Sequence, residues 1–256
     1  MDAVDAVADT PEPIIAFRDV WKRFGPKVIY EGLDLDVYPG ETLTIIGGSG
    51  TGKSVMLKCL MGLLRPDKGQ IYAFGQQVTG LKERQFQAVR RRVGMLFQGA
   101  ALFDSLTVAQ NVAFPLRESG ERDRETIRRR VAETLELVGL PGVEDQFPAD
   151  LSGGMQKRVG LARAIAVEPE VILYDEPTTG LDPTNVHRIN RVIRELQRLL
   201  KVTSIVVTHD MSSAFDISNR FAMLYNHRIE WTGAVDEART TDNPIVKAFI
   251  QGSIGD

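Results

Sequence analysis

Residues 47–54 read Gly47-Gly48-Ser49-Gly50-Thr51-Gly52-Lys53-Ser54, a match to G-x-x-x-x-G-K-[ST]. No other stretch constrains the fold as much. Backbone N–H groups that wrap an anion must turn inward, and a Cβ obstructs that turn, so glycines recur. Lys53 supplies a positive charge for β- and γ-phosphates, and Ser54 offers a hydroxyl to Mg²⁺. The context agrees: Glu41–Gly47 reads as a strand, and Lys53–Leu63 as a helix whose N-terminal dipole points at the anion. A glycine-rich structural turn accounts for the glycines but leaves Lys53-Ser54 unexplained. The loop therefore predicts nucleotide binding. A guanine-specific [NT]-K-x-D site needs Asp two residues after a lysine, and no lysine of the chain has one.

The rest of the chain fits an α/β core. Ile14–Val20 and Leu33–Val37 read as strands, the second with Leu33, Leu35 and Val37 alternating with Asp34 and Asp36. Further strands are expected at Gln70–Phe74, Val93–Phe97, Val171–Tyr174, Ser204–Thr208, Phe221–Tyr225 and Arg228–Trp231, with helices at about 185–200 and 211–219. Between Thr107 and Val167 strand signals vanish and helical spacing takes over, as in Val131, Leu135 and Val138. The pattern predicts a core of alternating strands and helices, an inserted helical part and a small antiparallel sheet beside them.

Asp175-Glu176 directly follows the apolar run Val171–Tyr174. A carboxylate at the C-terminal edge of a buried strand is where a phosphate-loop protein holds its metal. Asp175 suits the Mg²⁺ shell and Glu176 suits a general base toward water. A strand-end Asp capping the next turn is the plainer alternative. Of the 3 histidines, only His209 ends a strand-like run. Taken alone it reads as a structural hydrogen bond; His187 and His227 read as a helix surface and a turn.

Composition removes other classes. No apolar run approaches the ~18–20 residues of a membrane helix. A net charge of −3 disfavours a surface given over to nucleic acid. The single cysteine, Cys59, excludes an intramolecular disulfide and a cysteine zinc cage. Met1–Pro13 carries Asp2, Asp5, Asp9 and Glu12, unlike a signal peptide, and is expected to be a flexible acidic tail.

Leu151-Ser152-Gly153-Gly154-Met155 opens a further helix, and its exposed N–H groups suit a second anion site. Placed between the phosphate loop and the Asp-Glu strand, this segment makes the chain closely resemble the nucleotide-binding subunit of ABC transporters, from about residue 14 to 233. The resemblance implies a P-loop NTPase with a RecA-like core, small antiparallel β-subdomain and inserted helical subdomain. It implies a cassette over 14–235, with the helical part at about 99–167, and an extension over 236–256. Gly47–Ser54 match the Walker A loop, and Gln98 the Q-loop glutamine that senses Mg²⁺. Leu151–Met155 match the signature, Asp175 the Walker B aspartate and Glu176 the catalytic glutamate. Asp182 matches the D-loop and His209 the switch histidine, which changes its reading from structural to functional. Phe24 stands where the family stacks an aromatic on adenine; Tyr30 is the poorer candidate.

The same resemblance implies ATP and Mg²⁺ (held by Ser54, Gln98 and, through water, Asp175). It also implies a head-to-tail dimer in which each signature completes the other copy's site. Met155 departs from the usual glutamine, leaving the backbone N–H groups and Ser152 to hold ATP. Residues 95–118, MLFQGAALFDSLTVAQNVAFPLRE, are similar to the ATPase of MCE-type lipid transporters, although Ala100 stands where glycine is expected. That implies a peripheral subunit on the cytoplasmic face of the bacterial inner membrane, with permease subunits, an MCE-domain lipid-binding protein and no nucleic acid as partners. An importer ATPase for amino acids or other small solutes is the alternative. A non-transport ABC ATPase acting on DNA or ribosomes ranks third, since this chain has one cassette and no long coiled-coil insert.

Overall fold

The alternation of Leu33, Leu35 and Val37 with Asp34 and Asp36 becomes the buried and open faces of one strand in the computed structural model, which describes residues 11–252. The elements run β1 (Ile15–Phe24), β2 (Lys27–Val37), β3 (Thr42–Ile46), α1 (Lys53–Leu60), β4 (Lys68–Ala73), β5 (Gln76–Gln77), α2 (Glu83–Arg90) and β6 (Val93–Leu96). They continue with α3 (Val108–Glu118), α4 (Arg124–Leu137), α5 (Gly153–Ile165), β7 (Val171–Asp175), α6 (Pro183–Leu200), β8 (Thr203–Val207) and α7 (Met211–Ile217). Strands β9 (Arg220–Tyr225) and β10 (Arg228–Ala234) and helices α8 (Val235–Thr240) and α9 (Pro244–Ile250) follow. Of the acidic tail expected over 1–13, residues 1–10 lie outside the described residues, as do 253–256 of the C-terminal extension.

Two sheets result. The antiparallel one has the order β2-β1-β4-β5, and the larger one β10-β9-β3-β8-β7-β6. In the larger sheet β3, β6, β7, β8 and β9 are mutually parallel, and β10 alone is antiparallel. Buried on both faces, β3, β6, β7 and β8 have no exposed residue, which is why they read as continuous apolar runs. One core packs β1, β2 and β4 with α1 against one face of this sheet, and a second packs α3–α6 against the other. A third cluster, Ile46, Phe221, Met223, Val246 and Phe249 among it, seats α9 beside β9.

The sequence reading overlooked α2 and β5. Only Phe86 and Val89 of α2 are buried, too few to mark a helical period, and β5 is two residues long. The helix expected over 53–63 stops at Leu60, where Met61 leaves helical geometry and Gly62 turns to φ +67. Conversely β1 extends past Val20 to Phe24, because β2 pairs with it as far as Phe24↔Lys27 around the Gly25-Pro26 turn.

The helical part is locked by arginines at helix ends, where C-terminal carbonyls lack internal partners. Arg158 Nη1 of α5 donates to Val138 O and Gly139 O at the end of α4, at 3.2 and 2.9 Å. In return Arg130 of α4 donates to Ala166 O and Ile165 O at the end of α5, at 2.9 and 3.0 Å. Helix α5 also lies directly on β6, since a Cβ built on Gly94 would stand 2.4 Å from Ala164 O. Gly94→Ala is therefore expected to cost about 1–3 kcal/mol, because backbone crowds the added methyl. Urea unfolding should show a lower midpoint at unchanged slope.

Candidate nucleotide site

The parallel order β3-β8-β7-β6 sends four loops to one edge of the sheet. After β3 comes the phosphate loop, after β8 His209, after β7 Glu176, and after β6 Gln98. This is the carboxyl edge at which open α/β sheets bind ligands. A cleft of about 650 Å³ opens there, lined by Phe24, the loop residues Ser49, Gly50 and Gly52, Lys53, Ser54, Gln98, Glu176 and His209 among others.

The loop's shape is built in. Gly47, Gly50 and Gly52 have φ of +153°, +71° and +111°. A Cβ on Gly52 would sit 2.5 Å from Ile29 Cγ2, and one on Gly47 would sit 2.4 Å from Leu224 O. Thr51 Oγ1 donates to Gly48 O at 3.0 Å and closes the turn. Lys53 opens α1, and its ammonium donates to Gly47 O and Gly48 O, both at 2.8 Å. Burial lowers its pKa, against the opposing pull of Glu176 and Asp175. A buried cation held against a glycine loop at the start of a helix is an arrangement that a polyphosphate completes.

Ser54 Oγ and Asp175 Oδ1 are 2.6 Å apart, although 121 residues separate them in the chain. A hydroxyl beside a nearly buried carboxylate is an oxygen donor set that suits Mg²⁺. Glu176 sits at φ +51°, in the left-handed region that a side chain adopts only when its surroundings enforce it. Its N–H donates to Val207 O at 2.8 Å. Its carboxylate accepts from Thr179 Oγ1 at 3.0 Å and meets His209 Nδ1 at 3.0 Å. A carboxylate so fixed can take a proton from water placed in the cleft.

Phe24 is 44% exposed at the end of β1, so it is free of the core and presents its ring to the cleft. Tyr30, the poorer stacking candidate, plays another part: fully buried, its hydroxyl donates to Gly52 O and props the loop from below. His187 lies exposed on α6, and His227 lies in the β9–β10 turn.

Leu151–Met155 do not line this cleft. Ser152 caps α5, its Oγ accepting from Met155 N at 3.3 Å, with Gly153 exposed and Met155 half-buried against the helical core. Asp182, also outside the cleft, caps α6 and accepts from Thr184 N, Asn185 N and Asn185 Nδ2. Sequence reasoning missed Thr179, Lys157 and Asp210. Asp210 accepts from Thr178 Oγ1 and Ser213 Oγ and caps α7. The expected glycine at position 100 also has its reason: Ala100 and Ala101 are both left-handed, at φ +60° and +50°. The Arg163 guanidinium holds their carbonyls, each at 2.7 Å.

The model of the ABC transporter family matches residues 30–179. Protein TRIGALACTOSYLDIACYLGLYCEROL 3, chloroplastic, of Arabidopsis thaliana is 43% identical over 94% of this chain and 74% of its own length. A probable ribonucleotide transport ATP-binding protein, mkl, of Mycobacterium leprae is 40% identical over 93% of this chain and 69% of its own. Among solved structures, a dimeric ATP-binding cassette in a post-hydrolysis state with ADP and Pi superposes at a TM-score of 0.79. It is 31% identical and covers 86% of this chain and 98% of its own. With the cleft and these likenesses together, the chain belongs to the ABC transporter family, as its ATP-binding and ATP-hydrolysing subunit.

Proposed function

We propose that the chain drives a bacterial lipid transporter, working as a head-to-tail pair on the cytoplasmic face of the inner membrane. The observation that carries the lipid reading is the segment 95–118, similar to MCE-type ATPases. Its residues Met95, Phe97, Ala101, Phe103, Phe114 and Pro115 line a groove of about 520 Å³ between the core and the helical part. Phe103 and Phe114 are exposed with ring centroids 4.8 Å apart, an apolar seat for a permease helix. The galactolipid in the name of the Arabidopsis relative supports a lipid cargo. The ribonucleotide in the name of the Mycobacterium leprae relative supports the second reading, a small-solute transporter. No helix among the described residues is long and apolar enough to cross a membrane, so the permease comes from other chains in this proposal.

In the site, the phosphate loop and Lys53 bind the ATP phosphates while Phe24 stacks on adenine. Mg²⁺, when held by Ser54, Gln98 and a water on Asp175, supplies charge neutralisation on the phosphates. Glu176 takes the proton of the attacking water, and His209 orients that carboxylate and faces the γ-phosphate. Leu151–Met155 and Asp182 serve the site of the second copy, and the dimeric state of the solved cassette supports that pairing. The cassette occupies 14–235, its helical part 99–167, with 236–256 as an extension.

Co-expression with the genes that neighbour this one, followed by purification and reconstitution, tests the reading. Co-purification and ATPase activity stimulated by phospholipid are expected. Association instead with a periplasmic solute-binding protein, or stimulation by an amino acid alone, overturns it.

A further inference from the structure

Lys157 lies one turn along α5 from Gly154 and is almost fully buried. Its ammonium donates to Glu176 O at 3.1 Å and to Thr179 O at 2.7 Å. Those carbonyls bracket the turn that follows β7, the turn whose Thr179 hydroxyl holds the Glu176 carboxylate. A second contact ties the same helix to the same stretch of chain. A Cβ on Gly154 would stand 2.6 Å from Asn185 Cγ, and Asn185 in turn bonds Asp182. The first turns of α5 and residues 176–185 therefore form one packed unit.

We propose that Lys157 is a positioning residue that fixes Glu176 to the helix carrying Leu151–Met155, so that the two halves a cassette contributes move as one. The proposal rests on the reading of Glu176 as the base. The left-handed backbone of Glu176 is strained and persists only where the surroundings hold it. Two charge-assisted bonds from one ammonium to the flanking carbonyls supply that hold. Burying the ammonium lowers the Lys157 pKa, partly offset by Glu176, so the site bears a desolvation cost that neutral packing would avoid. Because one end of α5 serves the partner's nucleotide, closure there is transmitted through Lys157 to the carboxylate of this chain's own site.

Lys157→Met keeps the stem and removes the donor. Steady-state ATPase assays of the full chain should show kcat lowered about tenfold with KM within about twofold. Lys157→Arg, which also reaches two carbonyls, should restore kcat to within about threefold of the parent. Parental kcat in Lys157→Met overturns the proposal, and so does a loss of kcat that Lys157→Arg does not recover. If Lys157→Met does not fold, Lys157→Gln is read by the same criteria, because its shorter amide cannot span both carbonyls. Glu176→Gln, measured alongside, separates the two ideas. If it turns over like the parent, the base assignment fails; if it is inactive while Lys157→Met is normal, only the positioning role fails.

Discussion

Glu176→Gln is expected to lower kcat by about 10²–10⁴ while ATP still binds with its parental affinity. Glutamine matches glutamate in shape, so the left-handed backbone at 176 and the bonds from Thr179 and to Val207 O persist. What disappears is a group able to take a proton from water. Binding is spared because the groups proposed to hold phosphate, Lys53 and the loop N–H groups, belong to a different strand end. A cassette that binds ATP without consuming it should accumulate as the closed two-copy form. Size-exclusion chromatography with light scattering should then show a dimer in ATP and a monomer in its absence. Turnover at the parental rate sinks the assignment, because another group would then be taking the proton.

Lys53→Ala should fail one step earlier, at binding. Charge-assisted hydrogen bonds are worth about 1.5–3 kcal/mol, so ATP affinity should fall roughly ten- to a hundredfold. The change removes a cation that burial disfavours, so the protein without nucleotide should lose little stability. The two effects separate in one thermal experiment. The parent's melting temperature should rise with ATP concentration, as expected when a ligand binds the folded state alone. Lys53→Ala should melt close to the parent without ATP and show almost none of that rise. Glu176→Gln should keep the full rise. An ATP-dependent shift of parental size in Lys53→Ala would mean that the loop N–H groups carry binding unaided.

Much of this site is legible in the chain because its chemistry is local. Gly47–Ser54 is one continuous stretch whose φ values favour glycine at 47, 50 and 52. Asp175-Glu176 ends an uninterrupted apolar strand. Several residues whose part went unread act through backbone carbonyls. Lys157 bonds two carbonyls, Tyr30 bonds a third, and Arg163 holds the carbonyls of two left-handed alanines. Every residue carries a carbonyl, so the identity of such a partner leaves no trace in side-chain types or spacing. Helix α2 escaped notice for a related reason: its stability comes from two buried residues and its neighbours rather than from a full apolar stripe.

The nucleotide chemistry and the order of its motifs are settled by residue type alone, because a phosphate loop and a strand-end carboxylate need only neighbours in the chain. Their meeting is not. Strand β8, contributed by residues 203–207, inserts between β3 and β7. That insertion brings Ser54 within 2.6 Å of Asp175 and sets His209 beside Glu176. Pairing between segments so far apart is decided by which apolar faces can be buried together, a property of the whole packed sheet rather than of any one stretch.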